Sequence, residues 1–368
     1  MGVMKPAQRS SRNWGIDLLR LVAMYYIVVL HTFGLGGICE AAQPGTVQYY
    51  FSWFFQMQTT CAVNIFALIS GYVGFTQQKK PWRSESILLL WMQVVFLSAA
   101  VRLFYFLLQP QAFSVSGLIR MFLPITANTY WYFTAYAALF FLIPLLNEAV
   151  RNSEDALLRR LFVILILLFS VYSTLGDRWR LFSGFSMLWL AVLYVLGAIL
   201  KKCGIGSGIT GGQALLIILV CTIISWVVKL FENTYGLPLG HSLVDQNYLA
   251  PTHLISAMAH LLLFSRLQPG PRLQRLIAAA APGAFAVYIL NCHPDLLSSL
   301  VVEKFAVCAM DPLWQLCVKV ALFSGLFMIV SLMIDWLRRK LFHLLRVPRL
   351  TAWGAKTAEN CLDRLFHR

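Results

Sequence analysis

Residues 14–36 read WGIDLLRLVAMYYIVVLHTFGLG, and this stretch decides what kind of protein the chain is. It is long enough to cross a hydrocarbon core of about 30 Å, which needs about 20 apolar residues. It nevertheless holds Asp17, Arg20 and His31, groups that are costly in lipid and therefore mark function. Lys5, Arg9 and Arg12 precede it as at the start of a signal peptide. The run is too long for one, is charged and lacks a small-residue cleavage site, so it is expected to stay attached.

The rest of the chain follows the same pattern. Of 368 residues, 59% are hydrophobic and 12% charged, with a mean hydropathy of +0.70, against roughly 45–50% and 25% in soluble domains. So few charges cannot cover a water-facing surface, which excludes a soluble enzyme, a disordered chain and a coiled coil. Ten apolar runs lie near 14–36, 49–75, 86–108, 129–147, 160–175, 184–200, 213–231, 248–265, 281–302 and 314–337. A segment at 113–124, ending in Pro124, is too short to span and reads as interfacial or re-entrant.

Charge gives orientation. The N-terminus, the even-numbered loops and the tail hold twenty-two Lys and Arg, while the other loops hold four: Arg120, Arg178, Arg180 and Lys304. Retained cytoplasmic loops are the basic ones. The formal net charge of +15 is thus membrane topology, and no nucleic-acid partner is expected. The expected fold is an all-α polytopic membrane bundle of about ten transmembrane helices, with N-terminus and C-terminus cytoplasmic, multi-pass in the cell membrane. Residues 1–13 form the cytoplasmic N-terminus, 14–337 the transmembrane domain and 338–368 a basic tail. With Trp353, Leu362 and Phe366 interspersed, that tail reads as an amphipathic helix on anionic membrane lipid.

Within the first run, Arg20 and His31 are eleven residues apart, three turns and about 20°, so they share one face about 16 Å apart. Asp17 lies on the same side and can pair with Arg20. This stripe is flanked by Leu18, Leu19, Met24, Val28 and Val29 and should line a polar cavity inside the bundle. Imidazole is a base near neutral pH, and guanidinium holds phosphate or carboxylate. Group transfer from a phosphate-bearing donor fits both. Three further cations in spans, Arg102, Lys229 and Lys319, sit toward outer ends and read as snorkelling side chains.

Further segments carry a family resemblance. Gly15-Ile16-Asp17-Leu18-Leu19-Arg20 followed by His31 resembles the Arg-x10-His opening of the acyltransferase 3 family of integral membrane O-acyltransferases. Phe66 to Tyr72, with Ser70-Gly71, is similar to its second span, and Trp131-Tyr132-Phe133 with Tyr136, Pro144 and Asn147 to its fourth. Gly184-Phe185-Ser186 with Trp189, Tyr194 and Gly197 is similar to its sixth, and Tyr248 to Pro251 and Tyr288 to Pro294 to its eighth and ninth. One position departs: where many members have Tyr-x-x-His, Tyr288 is followed by Asn291, with His293 two further on. Either His293 takes that role from a shifted position or the role is dispensable here.

The resemblance implies an acyl-CoA donor, usually acetyl-CoA, used from the cytoplasm, and a hydroxyl acceptor on a cell-surface glycan or lipid-linked sugar. Arg20, with Asp17, Trp131 and Asn291, would hold the donor. His31 would be the base or nucleophile, with Ser70, Tyr72, Tyr136 and His293 as further catalytic candidates. Ser70-Gly71 reads equally as a close helix contact. A carrier for an acylated glycan or small metabolite is the other class to weigh.

Other signals read as bland. Gly206-x-Gly208-x-x-Gly211 joins two spans, so it is a flexible loop rather than a dinucleotide site. His241 and His253 lack a third ligand, and no metal is expected. Trp14, Tyr49, Tyr50, Trp82 and Trp314 read as interfacial anchors, and Tyr130, Trp131 and Tyr132 as either anchors or a frame for a sugar. Cys39 and Cys308 are both on the outer side, within reach of a disulfide in principle only.

Overall fold

Apolar runs this long, without water to satisfy their backbone, fold as helices, and in the computed structural model every regular element among the described residues is helical. The structure describes residues 12–78, 84–109, 114–236 and 241–366. Lys5, Arg9 and Trp82 lie outside these residues, as do the side chains of Leu362 and Phe366.

The chain runs through α1 (Trp14–Phe33), α2 (Ile38–Ala41), α3 (Val47–Thr60), α4 (Ala62–Gly74), α5 (Ser84–Leu108) and α6 (Val115–Phe122). It continues through α7 (Trp131–Asn152), α8 (Asp155–Ile166), α9 (Ser173–Leu175), α10 (Met187–Cys203), α11 (Gly211–Tyr235) and α12 (Pro251–Ser265). The last elements are α13 (Pro271–Ala280), α14 (Ala284–Asn291), α15 (Pro294–Leu300), α16 (Leu313–Leu344) and α17 (Val347–Phe366). Seven stretches among the described residues are long and apolar enough to span: Trp14–Ala41, Ser84–Leu108, Trp131–Asn152, Asp155–Leu175, Gly211–Tyr235, Pro271–Asn291 and Leu313–Leu344.

The other three expected spans are shorter or broken. The second divides at Cys61 into α3 and α4, and α10 and α12 run for 17 and 15 residues. The ninth differs more. Helix begins at Pro271, bends at Ala281–Gly283 and ends at Asn291, so it starts ten and ends eleven residues before the expected limits of 281–302. The amphipathic start of this element, with Arg272 and Arg275, hides it from a search for purely apolar runs.

Helix α1 is central, packing against α3, α4, α12, α14 and α16. Asn13 caps it by accepting from the Ile16 N–H at 3.0 Å and ties it to α12 by donating to the Ser265 carbonyl at 2.8 Å. Gly15 allows that approach, since a Cβ there would lie 1.8 Å from the Phe264 oxygen. Helices α4 and α10 also meet backbone to backbone through Gly71 and Gly197.

Basic residues gather where α1 begins and α4, α7, α10 and α12 end. Lys201 donates to the Phe75 carbonyl, Lys202 to those of Val150, Arg151 and Ser153, and Arg159 to that of Cys203. Arg266 donates to the carbonyls of Gly206, Ser207 and Ile209, so the glycine loop expected to be flexible is tied to the end of α12. Nearby, buried Asp335 takes Arg338 at 2.8 Å, Arg339 at 3.0 Å and the Gln93 amide at 3.2 Å. At the opposite end the cations expected to snorkel are paired instead: Arg102 with Asp295, Lys229 with Asp245 at 3.3 Å and Lys319 with Asp311 at 2.7 Å. Each acid comes from a connecting segment or short helix that only the fold brings there. The eight cysteines are free thiols. The tail forms α17, which buries Val347, Thr351 and Ala355 and packs on α5, leaving Leu350 and Trp353 exposed.

Candidate active site

His31 lies in the last turn of α1, where two cavities meet. The first, about 30 Å³, is narrow and mostly aromatic and aliphatic, with Met24, Ile27, Phe66, Tyr132, Phe285 and Tyr288 in its wall. The polar cavity expected along the α1 stripe is therefore apolar at this depth. The second, about 290 Å³, is a vestibule that includes Leu30, Gln56, Thr129, Tyr130, Phe185 and Gln246. His31, Trp131, Tyr248, Tyr288 and Cys292 line both.

The end of α14 holds the imidazole. His31 Nδ1 lies 2.5 Å from Asn291 Oδ1, and a carbonyl oxygen can only accept, so Nδ1 carries the hydrogen. The unprotonated Nε2 then has no hydrogen-bond partner among the described residues. Asn291 is buried, and among the described residues its amide nitrogen has no partner, nor do Oη of Tyr132, which lines the narrow cavity, and Oε1 of Gln56, which lines the vestibule. Buried polar atoms without partners are rare and call for a ligand or water.

Aromatic rings order the rest. Trp131 packs against Phe185 with centroids 4.7 Å apart and stacks on Tyr248 at 6.0 Å and 16°. From the narrow cavity, Tyr132 stacks on Tyr136 one turn further along α7, at 6.5 Å and 7°. Tyr136 is within electrostatic reach of Arg20. Arg20 is partly exposed and bonds to Asp17 at 2.5 Å, and Asp17 also accepts from Arg12 Nε at 2.5 Å. A file of groups thus leads from Arg20 past Tyr136 and Tyr132 to His31.

The structure does not bring Ser70, Tyr72 or His293 into these cavities. Ser70 Oγ donates to the Phe66 carbonyl of its own helix at 3.0 Å, and Gly71 beside it is the α4–α10 contact. Tyr72 lies under the Lys201 ammonium, 5.7 Å from its ring centre. His293 caps α15: Nδ1 accepts from the Asp295 N–H at 3.2 Å and Nε2 donates to the Ser98 carbonyl at 3.3 Å. Both of its nitrogens are engaged. Sequence reasoning did not single out Gln56, Phe285 or Gln246, which are distant in the chain and carry no spacing signal. Asn64 was also missed. It donates to the Tyr248 carbonyl at 2.8 Å and accepts from Trp189 Nε1 at 3.0 Å, fixing the segment that carries Tyr248. A buried Asn in an apolar run was the available signal.

The acyltransferase 3 family profile, described as an acyltransferase domain, matches residues 13–334, from the cap of α1 to within α16. The chain belongs to this family. It is a multi-pass membrane acyltransferase; the carrier reading finds no support. No curated relative and no solved structure matches the chain.

Proposed function

We propose that the protein is an O-acyltransferase that moves an acyl group, acetyl in the first instance, from acyl-CoA to a hydroxyl of a cell-surface or lipid-linked glycan. The observation that carries this is the hydrogen bond from His31 to Asn291 at the meeting of a narrow apolar cavity and a wider vestibule. The donor's phosphates bind Arg20, which Asp17 steadies, and its pantetheine arm runs past Tyr136 and Tyr132 toward His31. The acceptor sugar enters the vestibule against Trp131, Phe185 and Tyr248.

His31 Nε2 takes the proton of the acceptor hydroxyl as its oxygen attacks the thioester carbonyl. The oxyanion accepts a hydrogen bond from Tyr132 Oη, a buried hydroxyl with no partner among the described residues. The carbon–sulfur bond then breaks, and the thiolate of CoA recovers the proton from the imidazolium. The charge asymmetry supports a cytoplasmic location for the Arg20 end and for both termini, on the side where acyl-CoA is made.

The test is release of CoA from acetyl-CoA by purified protein with glycan acceptors present. General base catalysis contributes about 10²–10⁴-fold. His31→Gln keeps a polar side chain but cannot take up a proton, and should lose at least about 10²-fold in turnover with its melting temperature unchanged. Wild-type-like turnover in a folded His31→Gln protein would remove His31 from the mechanism.

A further inference from the structure

Beyond the vestibule a second polar cavity, about 310 Å³, lies between α5, α6 and the start of α15, with Ser98, Arg102, Arg120, Asn128, Thr129 and His293 in its wall. Thr129 lines this cavity and the vestibule alike. Tyr130 stands between them, its ring 6.5 Å from that of His293 and 6.2 Å from that of Tyr288.

The two guanidiniums are set up differently. Arg102 is fixed: it pairs with Asp295 through Nη1 and lies over the Phe106 ring at 5.2 Å. It also lies against α6 at Gly117, where a Cβ would come within 2.8 Å of Nη2. Its Nε and Nη2 have no hydrogen-bond partner among the described residues. Arg120, in the last turn of α6, has no carboxylate partner among them. Among the described residues Asp295 is the one acid that pairs with this group, and its charge is matched by Arg102. His293 has both nitrogens engaged and adds no charge. The cavity therefore carries an excess of one positive charge beside the vestibule, with a preformed guanidinium fork in its wall.

We propose that this cavity is an anion subsite for the acceptor: it holds a phosphate or carboxylate of the acceptor while a hydroxyl of the same molecule sits at His31. This rests on the vestibule being the acceptor's site and narrows the substrate class to acidic glycans or phosphate-bearing sugars. A neutral glycan would leave Arg120 without an anion.

Full-length protein in zwitterionic nanodiscs is titrated by calorimetry with a glucuronate-containing disaccharide, its neutral methyl ester and glucose 1-phosphate. At least one acidic probe should bind about tenfold or more tighter than the ester, as expected of a charge-assisted contact. Arg120→Gln should bring that preference to within about twofold of one, and Arg120→Lys should keep part of it. Equal affinity for all three probes in the wild type overturns the subsite. So does a preference that survives in the folded double variant Arg120→Gln, Arg102→Lys. Repeating the titration in nanodiscs containing phosphatidylglycerol separates the sources of the anion, because loss of acidic-probe binding there assigns the cavity to lipid headgroups and overturns the acceptor role. A wild type that releases no CoA with any acceptor counts against the transferase reading. Equal kcat/KM for the acid and the ester counts against the subsite.

Discussion

The hydrogen bond between His31 Nδ1 and Asn291 Oδ1 fixes one tautomer of the imidazole and leaves Nε2 as the basic atom. Asn291 is thus a positioning residue acting through His31. Asn291→Leu should lower kcat by about 10–100-fold, in the range of supporting-residue losses, with KM for the donor little changed. Asn291→His, which restores the spacing many family members show, should recover more activity than Leu. A loss confined to KM would show that Asn291 contacts substrate instead. At the other end of the file, Arg20 is already held by Asp17, so its guanidinium is preorganised. Arg20→Ala should weaken CoA binding by at least about tenfold, and Arg20→Lys should restore it only in part because the fork is lost. Calorimetry with CoA checks this, and equal affinities would count against a donor role.

Between α4 and α10 the backbones approach so closely that side chains have no room. A Cβ on Gly71 would lie 1.9 Å from the Tyr194 oxygen, and one on Gly197 2.3 Å from that of Leu68. Neither neighbour is a flexible side-chain tip, so the helices themselves must separate. Gly71→Val is expected to cost more than the roughly 1–3 kcal/mol of ordinary overpacking and to lower the melting temperature in detergent sharply. Ser70→Ala, one residue away, removes only a bond to its own helix and should leave both melting temperature and turnover near wild type. A large loss of turnover in Ser70→Ala would return Ser70 to the reaction.

For the molecule as a whole, the bundle has a basic end, where Lys201, Lys202, Arg159, Arg266, Arg338 and Arg339 gather with the start of α1, and an end where Arg102, Lys229 and Lys319 are each paired with an acid. By the positive-inside rule the first is expected to face the cytoplasm. A reporter fused after Arg368 should then be active only in the cytoplasmic form. The opposite result would reverse the donor side.

The membrane class, the helical fold and the placement of Arg20 and His31 on one helix were legible in the sequence, because hydropathy and a 3.6-residue period are local properties that tertiary context does not change. Broken or short elements were less so. The face α13 contributes is amphipathic, and no proline marks the break at Cys61. The partner of His31 was not legible at all. Asn291 is 260 residues away, and the sequence left Asn291 and His293 as alternatives. The structure separates them by a helix end: α14 stops at Asn291, turning its amide toward α1, while His293 lies beyond the bend and caps α15 beside Ser98. The same long-range assembly placed Asp295 on Arg102 and Tyr248 on Trp131, because which groups meet across a bundle depends on how the helices pack and not on their spacing along the chain.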